Sequence, residues 1–174
     1  ACTIFSALII SDDSTPNLKQ RIATKAQDAG LLVAGANGMG FYNVRDRVLA
    51  GGFDTRDHPY PGNVTLISQS GAGMSGIVDC ERRIQFNFAV SSGYELTVSM
   101  EDYLDYALDL PETRVVGLFL ETSRHPEKLI KAFKKANQRG IPIVVLKVGR
   151  TDLAAELAVS HSGALAGSDR CYQA

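Results

Sequence analysis

Residues 114–147 read RVVGLFLETSRHPEKLIKAFKKANQRGIPIVVLK, and this stretch decides the fold class. Val115-Val116-Gly117-Leu118-Phe119-Leu120 is an uncharged, largely apolar run and predicts a strand over 114–121. A polar turn follows, and then Leu129, Ile130, Phe133 and Ala136 recur at the spacing of one helix face, predicting a helix over 126–138. A second apolar run, Ile143-Val144-Val145-Leu146, predicts a strand over 142–147. Strand, helix and strand joined by short turns imply a right-handed β-α-β unit with parallel strands. Runs this continuous suit a sheet covered by helices on both faces.

The same alternation extends outward. Strands are predicted over 63–68 and 86–91, each followed by a helix, over 72–84 and 100–109, the latter with Tyr103, Leu104, Ala107 and Leu108 turned inward. A further helix is predicted near 153–159. Upstream, residues 45–62 hold charges, three glycines and two prolines (Pro59, Pro61) with no clear period, which marks a linker. Before it, residues 3–10 predict a strand, and Leu18, Ile22, Ala26 and Ala29 line a helix face that stops at Gly30. Residues 31–34 then predict a buried strand leading into the loop Gly35-Ala36-Asn37-Gly38-Met39-Gly40. The expected division is therefore 1–44, the tail of one domain, 45–62, a linker, and 63–174, an α/β domain of parallel sheet and helices.

The totals bound what such a chain can do. Its 174 residues suffice for one full domain and part of a second, with 45% apolar and 21% charged residues, ordinary for a globular protein. Lys plus Arg number 18 against 19 Asp plus Glu, so nothing in the charge argues for nucleic acid or an anionic membrane as partner. Cys2, Cys80 and Cys171 are odd in number and far apart, which argues against a disulfide framework or a zinc site and for a reducing compartment, here the cytoplasm. No segment reaches the ~18 apolar residues of a membrane span. The start at Ala1 lacks the basic flank of a signal peptide, and the chain is read as a fragment of a longer one.

In open α/β sheets ligands bind beyond the carboxyl ends of the strands, and each end here carries something to bind with. The first end is Ser68-Gln69-Ser70-Gly71-Ala72-Gly73, where hydroxyls and small residues open a helix. Free N–H groups and the helix dipole make such a turn an anion site, although a serine there is also an ordinary cap. The second end is Ser91-Ser92-Gly93-Tyr94-Glu95, where a tight turn explains Gly93 equally well. The third is Glu121, a carboxylate at the lip of a buried strand, which is costly unless paired. It pairs with Arg124, caps the following turn, or orients an imidazole. Lys147 and Arg150 follow the fourth end. His161 lies among small residues in Ser160-His161-Ser162-Gly163-Ala164-Leu165-Ala166-Gly167, and an imidazole is a nucleophile near neutral pH. His58 and His125 sit beside prolines in polar turns and read as structural.

Taken together, Ser68-Gln69-Ser70-Gly71, Ser91-Ser92-Gly93, the run from Asp109 to Arg114, Leu120-Glu121, the run from Val145 to Arg150, and Ser160 to Gly167 form a set of motifs in order. That set resembles the NDP-forming acyl-CoA synthetases, relatives of the succinyl-CoA synthetase α-subunit. The resemblance implies a flavodoxin-like, doubly wound parallel sheet over 63–174, preceded by the C-terminal part of a Rossmann-type CoA-binding domain over 1–44. It also implies an acid–CoA ligase in which His161 becomes phosphohistidine and Glu121 holds its imidazole. Ser68, Ser70, Gly71, Ala72, Ser92, Gly93 and Gly163 would then bind phosphate, with Asn37 and Gly38 as a wall of the active site. Coenzyme A and ATP or ADP would be substrates, with Mg²⁺ entering with the nucleotide in a partner domain.

The partners so implied are an ATP-grasp domain or subunit, an upstream CoA-binding domain, a small carboxylic acid, and other subunits of an oligomer. No residue here is assigned to a metal. The family pattern is altered at Ala36 and Gly38, at Tyr94 and Thr97, and more mildly at Ser162. Two other readings compete: a non-catalytic CoA-sensing module of a fused protein, and a flavodoxin-like binder of another small anion.

Overall fold

The computed structural model describes residues 1–149. Strand β1 (Cys2–Ile4) leads through a polar turn to helix α1 (Leu18–Asp28). Asn17 starts that helix: its side chain accepts the Gln20 N–H, and the Gln20 side chain returns to the Asn17 N–H, a reciprocal capping box. Strand β2 (Val33–Gly35) then pairs in parallel with β1. Among the described residues β1 and β2 form a two-stranded sheet of their own, and the Rossmann-type part expected over 1–44 is not seen there.

The main sheet has six strands. They are β3 (Gly40–Asn43), β4 (Val48–Gly51), β5 (Val64–Ser68), β6 (Phe86–Ser91), β7 (Val115–Leu120) and β8 (Ile143–Lys147), in the spatial order β4-β3-β6-β5-β7-β8. Strands β6, β5, β7 and β8 run parallel, and β3 is antiparallel to both its neighbours. Helix α2 (Gly71–Cys80) follows β5, α3 (Met100–Asp109) follows β6, and α4 (Pro126–Arg139) follows β7. The chain is thus a mixed α/β fold with a parallel-dominated sheet, as the alternation of strands and helices requires.

Two apolar clusters fix the layers. Ile67, Val90, Val116, Leu118 and Leu120 pack with Leu104, Ala107 and Leu108 of α3 and Leu129, Ala132 and Ala136 of α4. Leu66, Ala89 and Tyr42 pack with Met74 and Val78 of α2. Neighbouring residues such as Leu66 and Ile67 fall in different clusters because successive strand side chains point to opposite faces. Because β5, β6 and β7 run parallel, the turns that follow them open at one end of the sheet.

Several expectations need correction. The first strand stops at Ile4 rather than residue 10, and Ile9 and Ile10 beyond it are exposed. The stretch 45–62 contains β4, which forms a hairpin with β3 and extends the main sheet as antiparallel strands. The helix expected to reach residue 84 ends at Cys80, where the Arg56 guanidinium takes the carbonyls of Val78, Glu81 and Ile84. Those carbonyls are left without helical partners, and a cation satisfies them well. On α4, Ile130 points outward and Ala132 takes the buried position. Along β8, Val144, Val145 and Leu146 are exposed, and among the described residues no element covers them.

Candidate functional site

The β5–α2 turn supplies a helix start with donors to spare. Ser68 is buried at the end of β5, and its Oγ accepts the Ser70 N–H at 3.2 Å while donating to the Ser70 carbonyl at 2.7 Å. Ser70 caps α2, its Oγ accepting the Gly73 N–H at 3.1 Å. The N–H groups of Gly71 and Ala72, the first two of the helix, have no intrahelical partner by construction, and Ala72 is exposed. Gly71 also lies under Met39: a Cβ there would stand 2.5 Å from the Met39 Cγ. Ser70 is thus a cap, and the helix itself leaves the N–H groups of Gly71 and Ala72 unused.

The β6–α3 turn lies alongside. Ser92 is buried and its N–H donates to the Ser68 carbonyl at 2.9 Å, tying the two turns together. The loop 35–38 packs on this turn backbone to backbone, with the Tyr94 N–H on the Ala36 carbonyl at 2.7 Å and the Leu96 N–H on that of Gly35 at 3.0 Å. Gly38 is buried and faces the Ser91 carbonyl, where a Cβ would come to 2.7 Å. Ser68, Ser70, Gly71, Ala72, Ser92, Gly93, Asn37 and Gly38 are therefore brought to one end of the sheet. Two of the altered positions have local work: the Thr97 hydroxyl accepts the Val33 N–H at 2.7 Å, and Lys19 stands over the Tyr94 ring at 4.3 Å.

Glu121 is half-buried just beyond β7. Arg124, the cation beside it in sequence, pairs instead with Glu95, Nε to Oε2 at 3.0 Å. Among the described residues no ion pair involves the Glu121 carboxylate. His161, Gly163 and Arg150 lie outside the described residues. His125 precedes α4 without a side-chain cap bond, and His58 stacks on Tyr42, which fits their structural readings.

Sequence reasoning missed the buried polar core under these turns. Gln69 is 9% exposed. Its Oε1 accepts the N–H groups of Glu121 at 2.7 Å and Thr122 at 2.9 Å, and its Nε2 donates to the Thr122 carbonyl at 2.7 Å. The same Nε2 reaches Glu95, whose Oε1 also accepts the Ser92 hydroxyl at 2.7 Å. Glu101, 1% exposed, accepts the Ser123 hydroxyl at 2.6 Å. The only sequence sign was a carboxylate and an amide set among small turn residues.

Burial pushes the Glu95 carboxyl above the ordinary 4.5, against the hydrogen bonds from Gln69 and Ser92 and the charge of Arg124, while the charge of Glu101 adds to the rise. A carboxyl whose folded-state pKa exceeds its unfolded value stabilises fully below 4.5 and loses that stabilisation as pH rises through the folded value. Melting temperatures of the parent and of Glu95→Gln, measured in pH steps upward from about 4, should therefore shift in the variant's favour. A gap that stays constant or moves the other way would contradict the buried, raised carboxyl. Among the described residues no three His, Cys, Asp or Glu side chains converge as metal ligands would. No helix among them is long and apolar enough to cross a membrane.

Comparison with known proteins adds relatives to this geometry. The family described as the succinyl-CoA ligase like flavodoxin domain matches residues 61–174. The chain is 33% identical over 159 residues to an ADP-forming acetate–CoA ligase of Methanocaldococcus jannaschii, covering 90% of this chain and 22% of that one. It is 30% identical over 166 residues to an ADP-forming 4-hydroxybutyrate–CoA ligase of Nitrosopumilus maritimus, covering 94% and 24%. A solved structure of the dinucleotide-forming acetyl-coenzyme A synthetase 1 of Ca. Korarchaeum cryptofilum, in complex with phosphate and ADP, superposes with a TM-score of 0.80 at 28% identity. That match covers 98% of this chain and 37% of the other. The chain thus spans under a quarter of the length of these two curated relatives.

Proposed function

The chain belongs to the succinyl-CoA ligase like flavodoxin domain family, within the ADP-forming acyl-CoA ligases, and from that premise we propose that it relays a phosphoryl group through His161. The observation that supports the proposal is the convergence of the Ser70–Ala72 turn, the Ser92-Gly93 turn and Glu121 at one end of the sheet, with Arg124 drawn away from Glu121 to Glu95.

In the acid-activating direction an imidazole nitrogen of His161 attacks the terminal phosphorus of the nucleoside triphosphate. The N–P bond forms, the P–O bond to the diphosphate breaks, and the diphosphate leaves. A carboxylate oxygen of the acid then takes the phosphoryl group, breaking N–P and giving the acyl phosphate. The CoA sulfur attacks the acyl carbon and orthophosphate leaves. Glu121 would accept the N–H of the other imidazole nitrogen, holding the ring in the reactive tautomer and stabilising its charged form. The N–H groups of Gly71 and Ala72 would neutralise the phosphoryl oxygens, the chief requirement of such a transfer, with the Gly93 N–H beside them, since the Ser92 N–H and hydroxyl are held by the Ser68 carbonyl and Glu95.

This reading makes the chain part of a larger acid–CoA ligase. An ATP-grasp domain or subunit would supply the nucleotide and its Mg²⁺, an upstream domain would bind CoA, and the whole would be oligomeric. Labelling tests it. The full enzyme that carries this chain, incubated with [γ-³²P]ATP and digested with trypsin, should carry acid-labile, base-stable label on the peptide 151–170, whose single histidine is His161. Acid-stable label, or label confined to other peptides, would sink the relay.

A further inference from the structure

The loop after β7 is gripped from three elements at once. Gln69, from the β5–α2 turn, closes on the Glu121 and Thr122 peptides with three hydrogen bonds. Glu95, from the β6–α3 turn, holds Arg124, and Glu101, in the first turn of α3, holds the Ser123 hydroxyl and the His125 N–H. Gln69 and Glu95 are themselves joined at 3.0 Å, and Glu95 is joined to Ser92. One continuous chain of hydrogen bonds thus runs from the Ser92 turn through Glu95 and Gln69 to the backbone of Glu121.

Plain packing does not call for this. Burying carboxylates is costly, and apolar residues of similar volume commonly stabilise a core as well or better. What a buried polar network supplies is directionality, a single geometry rather than a range of them. Here the geometry it dictates is the placement of Glu121 relative to the two anion turns. The Glu121 carboxylate, with no ion pair among the described residues, is placed by its backbone, and that backbone is clamped by Gln69.

We propose that Gln69 and Glu95 are positioning residues that hold Glu121 in register with the anion turns, acting through the Glu121–Thr122 main chain and through Arg124. The inference rests on the reading of Glu121 as the carboxylate that orients the imidazole. Neither side chain touches the reacting atoms; both act on the distance over which the phosphoryl group must pass.

The test uses the full enzyme carrying Gln69→Met, which keeps the side chain's length and removes its hydrogen bonds, with Glu95→Gln as a second, milder variant. For Gln69→Met, hydrogen–deuterium exchange in peptides spanning 119–124 and the rate of label formation from [γ-³²P]ATP should each change about ten-fold or more, exchange faster and labelling slower. KM for the acid should stay at the parent's value, a split that general loss of structure would not give. Glu95→Gln should move both readouts in the same direction by less. Labelling within about two-fold of the parent in both variants, or unchanged exchange at 119–124, overturns the proposal. A Glu121→Gln enzyme that labels at the parent's rate with unchanged exchange overturns the underlying reading of Glu121 instead, and so the two failures are told apart.

Discussion

Replacing His161 with Ala in the full enzyme is expected to abolish the acid-labile label and to lower acid–CoA ligation by about 10⁴-fold or more, the scale on which covalent carriers fail when removed. The size follows from the chemistry. The relay splits one transfer between distant substrates into two short ones, and without the imidazole the nucleotide and the acid have no shared phosphoryl acceptor. Glu121→Gln should leave the label detectable but slow its formation by roughly 10²-fold or more, because Gln cannot stabilise a charged ring as a carboxylate does. The comparison separates carrier from orienter: the first variant loses the species, the second only its rate. A His161→Ala enzyme that takes up the parent's label would end the reading, whatever Glu121 does.

How much of this was legible in the sequence depends on the range of the forces involved. The spans of β6 and α3 were readable to the residue because the signals are local: an apolar run in one, and in the other the 3.6-residue recurrence of Leu104, Ala107 and Leu108. Strand β4 was not, since its four residues Val-Leu-Ala-Gly, embedded among charges and glycines, become a strand through pairing with β3 and not through any pattern of their own. The opposite error fell on residues 5–10, apolar enough for a strand, whose Ile9 and Ile10 are left exposed beyond the short pairing of β1 with β2. The turn serines and glycines of the candidate site were legible because a helix start beyond a strand is a local motif. The Gln69–Glu95–Arg124 chain was not, because its contacts join residues 26 and 29 positions apart and need the finished sheet to exist. Nor could residue spacing say that Arg124 would leave Glu121 for Glu95; a helix-capping or ion-pair reading at Glu121 was equally open until the two turns were seen side by side.

The join between those turns and the loop that walls them makes the second large prediction. Gly93 has φ of +60°, and a Cβ built on it would stand 2.1 Å from the Ala36 carbonyl oxygen and 2.8 Å from the Gly38 nitrogen. Both are backbone atoms, so no side chain can swing aside, and the loop 35–38 must move as a unit. Gly93→Ala should therefore cost about 3 kcal/mol, the sum of a left-handed residue and an overpacked contact. For a chain of this size that lowers Tm by roughly 6–12 °C. Gly140 supplies the control, having φ of +65° with nothing within 4 Å of its Cβ. Gly140→Ala should carry the conformational part alone, about 1 kcal/mol, measurable in the same thermal melts. The difference between the two variants isolates the contact between the loop and the turn. If Gly93→Ala melts with Gly140→Ala, the loop does not bear on Ser92-Gly93, and Asn37 and Gly38 cannot wall the site. If the difference appears, the wall is rigid against the anion turn, and Gly93→Ala should also slow phosphoryl labelling in the full enzyme while Gly140→Ala leaves it at the parent's rate.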